Sequence, residues 1–168
     1  MSNTATCPLL QRGVDFDSQG RWPVVLHHPC SGNMGRDFGA IFHLYSGPQL
    51  LARHANGRLV LMKHYASDGY SPVIRVFGKF VYLTPWPKCG VWPALGHDVM
   101  RQFVGVEGCP WDRIDTDLCF YNWLTAGGVH PDVAGTYYGA VAGVVGDIFI
   151  NLTRKPDPDL WIERIEYA

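Results

Sequence analysis

The chain carries little charge and no excess of either sign. Asp, Glu, Lys and Arg make up 17% of its 168 residues, where an average domain has about a quarter, and the formal net charge is −1. The basic footprint of a protein that follows a phosphate backbone is missing, so no nucleic-acid partner is expected. The five cysteines (Cys7, Cys30, Cys89, Cys109 and Cys119) are odd in number and nowhere spaced C-x-x-C. That pattern excludes a zinc ribbon and a closed disulfide framework, and it suits reduced thiols in a cytosolic compartment. The opening Met-Ser-Asn-Thr-Ala-Thr-Cys has neither a basic stretch nor an apolar core, so no secretory leader is expected. Internal repeats and low-complexity tracts are also missing.

What the chain does have is apolar and aromatic. Hydrophobic residues reach 47% and aromatic ones 13%, enough for one well-filled core in a single domain spanning residues 1–168. Residues 1–20 are polar and turn-rich and read as an arm. Residues 21–83 read as a β-rich part, with strands expected over Trp22–His28, Phe38–Tyr45 and Lys79–Leu83 and an irregular loop over Pro29–Gly35. Asn56-Gly57 sits between two apolar runs and predicts a hairpin, because both residues tolerate positive φ. Ser71-Pro72 has the form of an N-cap followed by a first-turn proline and predicts a short helical turn before Gly78.

Residues 93–151 read as three helices, and 152–168 as a tail ending in a short strand. Pro93 suits the first turn of a helix carrying His97-Asp98. Asp112 is positioned to cap a second helix carrying Asp115 and Asp117, which Gly127-Gly128 ends. Their short connection makes the two helices antiparallel neighbours, which brings His97 toward Asp115 or Asp117. The third helix is expected over Asp132–Ile150, with Gly135, Gly139 and Gly143 at spacing four allowing another backbone to approach closely. Its Asp132, Asp147, Asn151 and glycines argue against membrane insertion. The fold class is α+β, a small antiparallel β portion followed by a three-helix portion.

Asp68, Ser71, His97, Asp98, Arg113, Asp117 and Phe120, taken in that order and spacing, resemble a small family encoded mainly by phages and prophages. That family has a T-D-x-x-S-x-P stretch, then a His-Asp helix, then a second helix of Arg-x-x-x-Asp-x-x-Phe pattern. The match covers roughly residues 57–150. It departs at Pro72, which follows Ser71 directly where the family has one residue between, and at Arg101, where the family has an aromatic. The resemblance implies a product of the bacterial host cytoplasm that is incorporated in a virion, with other phage structural proteins or further copies of itself as partners. A more distant similarity links His97, Asp98 and Asp117 to the phospholipase A2 helix pair. There a His activates water, the adjacent Asp binds calcium and the facing Asp orients the His; the calcium loop and disulfides of that family are missing here.

Three arrangements of these residues stay open. His97 can act as a general base oriented by Asp117, with Asp98 and Asp68 holding a hard cation such as Ca²⁺. Ser71, His97 and Asp117 can form a nucleophile–base–orienter triad, although Ser71 already has a structural use as a cap. Or Asp68, Ser71, His97, Asp98 and Asp117 can form a buried polar network that fixes a loop against two helices. The functions that follow are a tail or baseplate component built on the His-Asp helix pair, or a small metal-assisted hydrolase of an envelope ester or amide.

Overall fold

In the computed structural model, residues 24–67, 69, 73–76, 79–82, 87, 89–143 and 157–168 are described. The elements run β1 (Val24–Val25), β2 (Cys30–Asn33), β3 (Ala40–Ser46), β4 (Gln49–Ala55), β5 (Arg58–Leu61), β6 (Ala66–Ser67), β7 (Val73–Val76), β8 (Lys79–Tyr82), α1 (Trp92–Phe103), α2 (Arg113–Ala126), α3 (Pro131–Ala142) and β9 (Leu160–Glu166). The class is α+β, with antiparallel sheets preceding three helices. The main sheet has the order β2-β5-β4-β3-β9, and β1-β6 and β7-β8 form two smaller antiparallel pairs.

Local chemistry accounts for most of these elements. Asn56 and Gly57 adopt φ of 51° and 71°, the geometry of the tight turn that joins β4 to β5. Asp112 accepts a hydrogen bond from the Asp115 N–H while the Asp115 side chain accepts one from the Asp112 N–H, a reciprocal cap on α2. At the other end of α2 the left-handed residue is Gly128, with φ 89°, and Gly127 keeps a negative φ.

Alternation then sets the core. Ala40, Phe42 and Leu44 of β3, Ala52 and His54 of β4, and Leu59 and Leu61 of β5 all face inward and are buried. Trp92, Leu95, Val99, Met100 and Phe103 of α1 cover that face as one continuous cluster with the sheet. The Trp92 indole lies over Gly32, where any Cβ would collide with it. Trp92 also meets Trp123 edge-on, with ring centroids 5.1 Å apart. A second, smaller cluster (Ala94, Phe120, Leu124 and Ala134) joins the three helices.

Three segments differ from the sequence reading. Cys30–Asn33 is a strand rather than part of an irregular loop, because its backbone pairs with β5 and its Gly32 makes room for Trp92. Val73–Val76 is a strand paired with Lys79–Tyr82, not a helical turn, as its run of Val and Ile favours; Ser71, Pro72 and Gly78 lie outside the described residues. The third helix spans Pro131–Ala142 with His130 as its cap, and the expected continuation over 144–150 lies outside the described residues. Among its described residues only Ala134 is buried, and a Cβ at Gly135 or Gly139 would meet nothing, so this face is not the tight packing surface the glycine spacing suggested. Among the described residues, no helix is long and apolar enough to cross a membrane.

Gly96 fixes the approach of α1 to α2. A Cβ there would lie 2.5 Å from Cζ3 of Trp123, whose indole N–H is tied to the Asn33 carbonyl at 2.6 Å and cannot swing aside. Gly96→Ala gains about 1 kcal/mol of helix propensity but overpacks a closed core, which costs about 1–3 kcal/mol or more. Chemical denaturation is expected to show a net loss; an unchanged or raised midpoint would contradict this packing.

Candidate functional site

The capped start of α2 fixes the direction of its side chains, so Asp115 and Asp117 take different roles. Asp115 is used by the cap and by Arg36, whose guanidinium lies 3.2 Å away across the surface. Asp117, two residues on, points to α1 and accepts a hydrogen bond from His97 Nε2 at 2.8 Å. His97 is 6% exposed and Asp117 2%. Of the two carboxylates within reach in the sequence reading, Asp117 is the partner.

The network extends in both directions from this pair. His97 Nδ1 faces Asp98 Oδ1 at 3.9 Å, too far for a hydrogen bond but within range of charge attraction. The other Asp98 oxygen accepts a hydrogen bond from Ser67 of β6, whose Oγ in turn accepts the Gly69 N–H at 3.1 Å. On the far side, Arg113 Nε lies 3.7 Å from Asp117 Oδ2, and the same guanidinium donates to the Ala142 carbonyl at 2.9 Å. The Phe120 ring packs on the imidazole with centroids 4.9 Å apart. One polar line therefore runs Ser67–Asp98–His97–Asp117–Arg113–Ala142 and touches β6, α1, α2 and the end of α3.

Burial works against a charged imidazole here. The hydrogen bond to Asp117 and the proximity of Asp98 outweigh it, so the His97 pKa lies above its usual value. The shift favours the protonated ring, which two carboxylates flank.

The other candidates divide clearly. Asp68 and Ser71 lie outside the described residues. Asp98, the other residue expected to hold a cation, has one oxygen on Ser67 and the other toward His97. Among the described residues, no three His, Cys, Asp or Glu side chains are grouped so as to hold a metal ion. Trp92, Trp111 and Trp123 are core residues. The Cys109 thiol is pushed up to about 11 and the Cys119 thiol to about 12, by burial first, so both stay protonated and unreactive.

Two participants were missed. Ser67 holds Asp98, one position before the Asp68 that sequence reasoning chose; the alternation of β6 turns Ser67 inward, and nothing in the local sequence marks so short a strand. Nothing in the sequence singles out His54. It is fully buried among Phe38, Phe42 and Trp111, at centroid distances of 5.2, 6.0 and 6.2 Å, and neither ring nitrogen has a hydrogen-bond partner among the described residues. Burial lowers its pKa, opposed in part by the nearby Arg36 backbone and Asp37 carboxylate.

No family model, curated protein or solved structure matches this chain.

The two buried histidines tilt stability in opposite directions with pH. His97, with a raised pKa, contributes stability that is complete below its unfolded value of 6.5 and is lost as pH rises through the folded value. His54, with a lowered pKa, costs stability as pH falls below 6.5, because the unfolded chain takes up that proton first. Denaturation midpoints from pH 5 to 9 are expected to show His97→Asn flattening the alkaline limb and His54→Leu flattening the acid limb. Slopes unchanged from wild type on either limb would contradict the corresponding assignment.

Proposed function

We propose that this chain is a non-catalytic assembly protein of a phage or prophage particle, a tail or baseplate component, in which the His97 network locks the helical part to the β part. The observation that carries the reading is that both ring nitrogens of His97 face carboxylates in a buried setting. A general base needs a nitrogen lone pair aimed at a substrate proton. An imidazolium between two acids has none to offer. Five of the seven residues that carry the phage resemblance, His97, Asp98, Arg113, Asp117 and Phe120, meet here. In this reading that motif describes a structural lock.

The surface supports a protein that works against neighbours. Ile114 and Leu118, four residues apart on the outer side of α2, are 70% and 50% exposed, and Val133 of α3 is 48% exposed. Further copies or other particle proteins are the partners this suggests. Made in the bacterial cytoplasm, such a chain reaches its working place as part of the virion.

A second reading keeps one specific observation in its favour. The 2.8 Å bond between His97 and Asp117 is also the contact by which an orienting carboxylate holds a catalytic imidazole. In that reading Asp98 leaves His97 Nδ1 to bind a cation with Asp68, and His97 activates water for hydrolysis of an envelope ester or amide.

His97→Asn distinguishes the two. As a member of a buried network, the loss of His97 costs about 1–3 kcal/mol of stability, and Asp117→Ala, which strands a buried imidazolium, costs about 3–5 kcal/mol. The wild-type protein is expected to hydrolyse neither phospholipid nor peptidoglycan, and millimolar Ca²⁺ is expected to leave its melting temperature unchanged. Wild-type hydrolysis that disappears in His97→Asn at an unchanged melting temperature would overturn the assembly reading. So would a Ca²⁺-dependent rise in melting temperature that Asp98→Asn removes.

A further inference from the structure

The sheet face turned away from α1 carries an ordered aromatic and polar cluster that the helical network does not use. On β3 and β9 the directly opposed pairs Tyr45–Trp161 and His43–Glu163 project from this outer side, while Phe42 and Leu44 between them are buried in the core. The Tyr45 and Trp161 rings are stacked, with centroids 4.1 Å apart and planes within 4°. The Trp161 indole N–H donates to the Gly47 carbonyl at 2.8 Å, which removes the remaining freedom of the ring. Trp161 is nonetheless 44% exposed. Tyr45 covers one face of the indole, and because β9 is an edge strand no described strand lies beyond it to cover the other.

The carboxylate beside this ring is equally fixed. Glu163 Oε2 accepts hydrogen bonds from His43 Nδ1 at 3.1 Å and from the Tyr45 hydroxyl at 3.3 Å. Its Oε1 has no protein partner among the described residues, and the side chain is 45% exposed.

We propose that this face is a carbohydrate-binding platform, with the open face of Trp161 stacking on a pyranose ring and Glu163 hydrogen-bonding its hydroxyls. The C–H bonds on one face of a pyranose present weak positive charge to the negative face of an indole, and its hydroxyls present donors and acceptors at the ring edge. A locked ring beside a locked carboxylate matches that combination and loses little freedom on binding. A nucleotide would also stack, but Glu163 repels its phosphate and the chain has no basic surplus. A cross-strand clasp accounts for the stack alone. It leaves the orientation of Glu163 and the exposure of Trp161 without a use. The inference concerns a different face from the His97 network and does not depend on its role.

The test is a titration of the ¹⁵N-labelled full chain with cellohexaose and chitohexaose, followed by amide and indole N–H resonances. Binding of at least one hexaose with Kd of about 1 mM or tighter is expected, with shifts confined to the Trp161 indole and the amides of β3 and β9. Trp161→Ala is expected to abolish binding. Glu163→Ala, which leaves the stack in place, is expected to weaken it about tenfold at an unchanged melting temperature. No shifts with either hexaose at about 10 mM, shifts mapping elsewhere, or affinity unchanged in Glu163→Ala would overturn the proposal.

Discussion

The buried hydrogen bond between His97 and Asp117 is the constraint to which the rest of the fold answers. An imidazolium away from water is tolerated only when paired, and a carboxylate such as Asp117, 2% exposed, needs a donor as much as His97 needs an acceptor. Their 2.8 Å bond sets the rotation of α1 against α2. Because Asp98 follows His97 directly, the same rotation turns its carboxylate toward Ser67, and Arg113, one turn before Asp117, reaches the last carbonyls of α3. The apolar packing around this line is large but undirected; the hydrogen bonds select one register among the ways the helices could slide.

The glycines and tryptophans give that register its depth. Gly32 lets Trp92 down onto the sheet, and Gly96 lets Trp123 close on α1. Trp123 is then pinned to the Asn33 carbonyl, so the second helix is tied to β2 as well as to the first helix. The sheet and helices share one core because two indoles bridge them at positions where no side chain stands in the way.

Much of this was legible in the sequence wherever the signal was local. Asn56-Gly57, the Asp112 cap and the His97–Asp117 pairing follow from residue chemistry over a few positions or from a short helix connection. Strand β2 was not legible, because Cys-Ser-Gly-Asn has no strand propensity and exists through its pairing with β5. Strand β9 was legible as a short terminal strand, but only the fold shows that it completes the sheet beside β3. Ser67 and His54 were invisible because each depends on burial set by distant segments. The open glycine face of α3 shows the opposite error, a spacing rule applied where no described partner is present.

The central claim is that His97 is a protonated link, bonded to Asp117 and facing Asp98, rather than a base. Histidine-selective ¹⁵N–¹H spectra at neutral pH test it most directly, because the ring-nitrogen shifts report which nitrogens carry protons. One buried imidazole with protons on both Nδ1 and Nε2, lost in His97→Asn and persisting above pH 7, is the predicted result. A neutral His97 whose Nδ1 is bare and titrates freely with solvent would contradict the account.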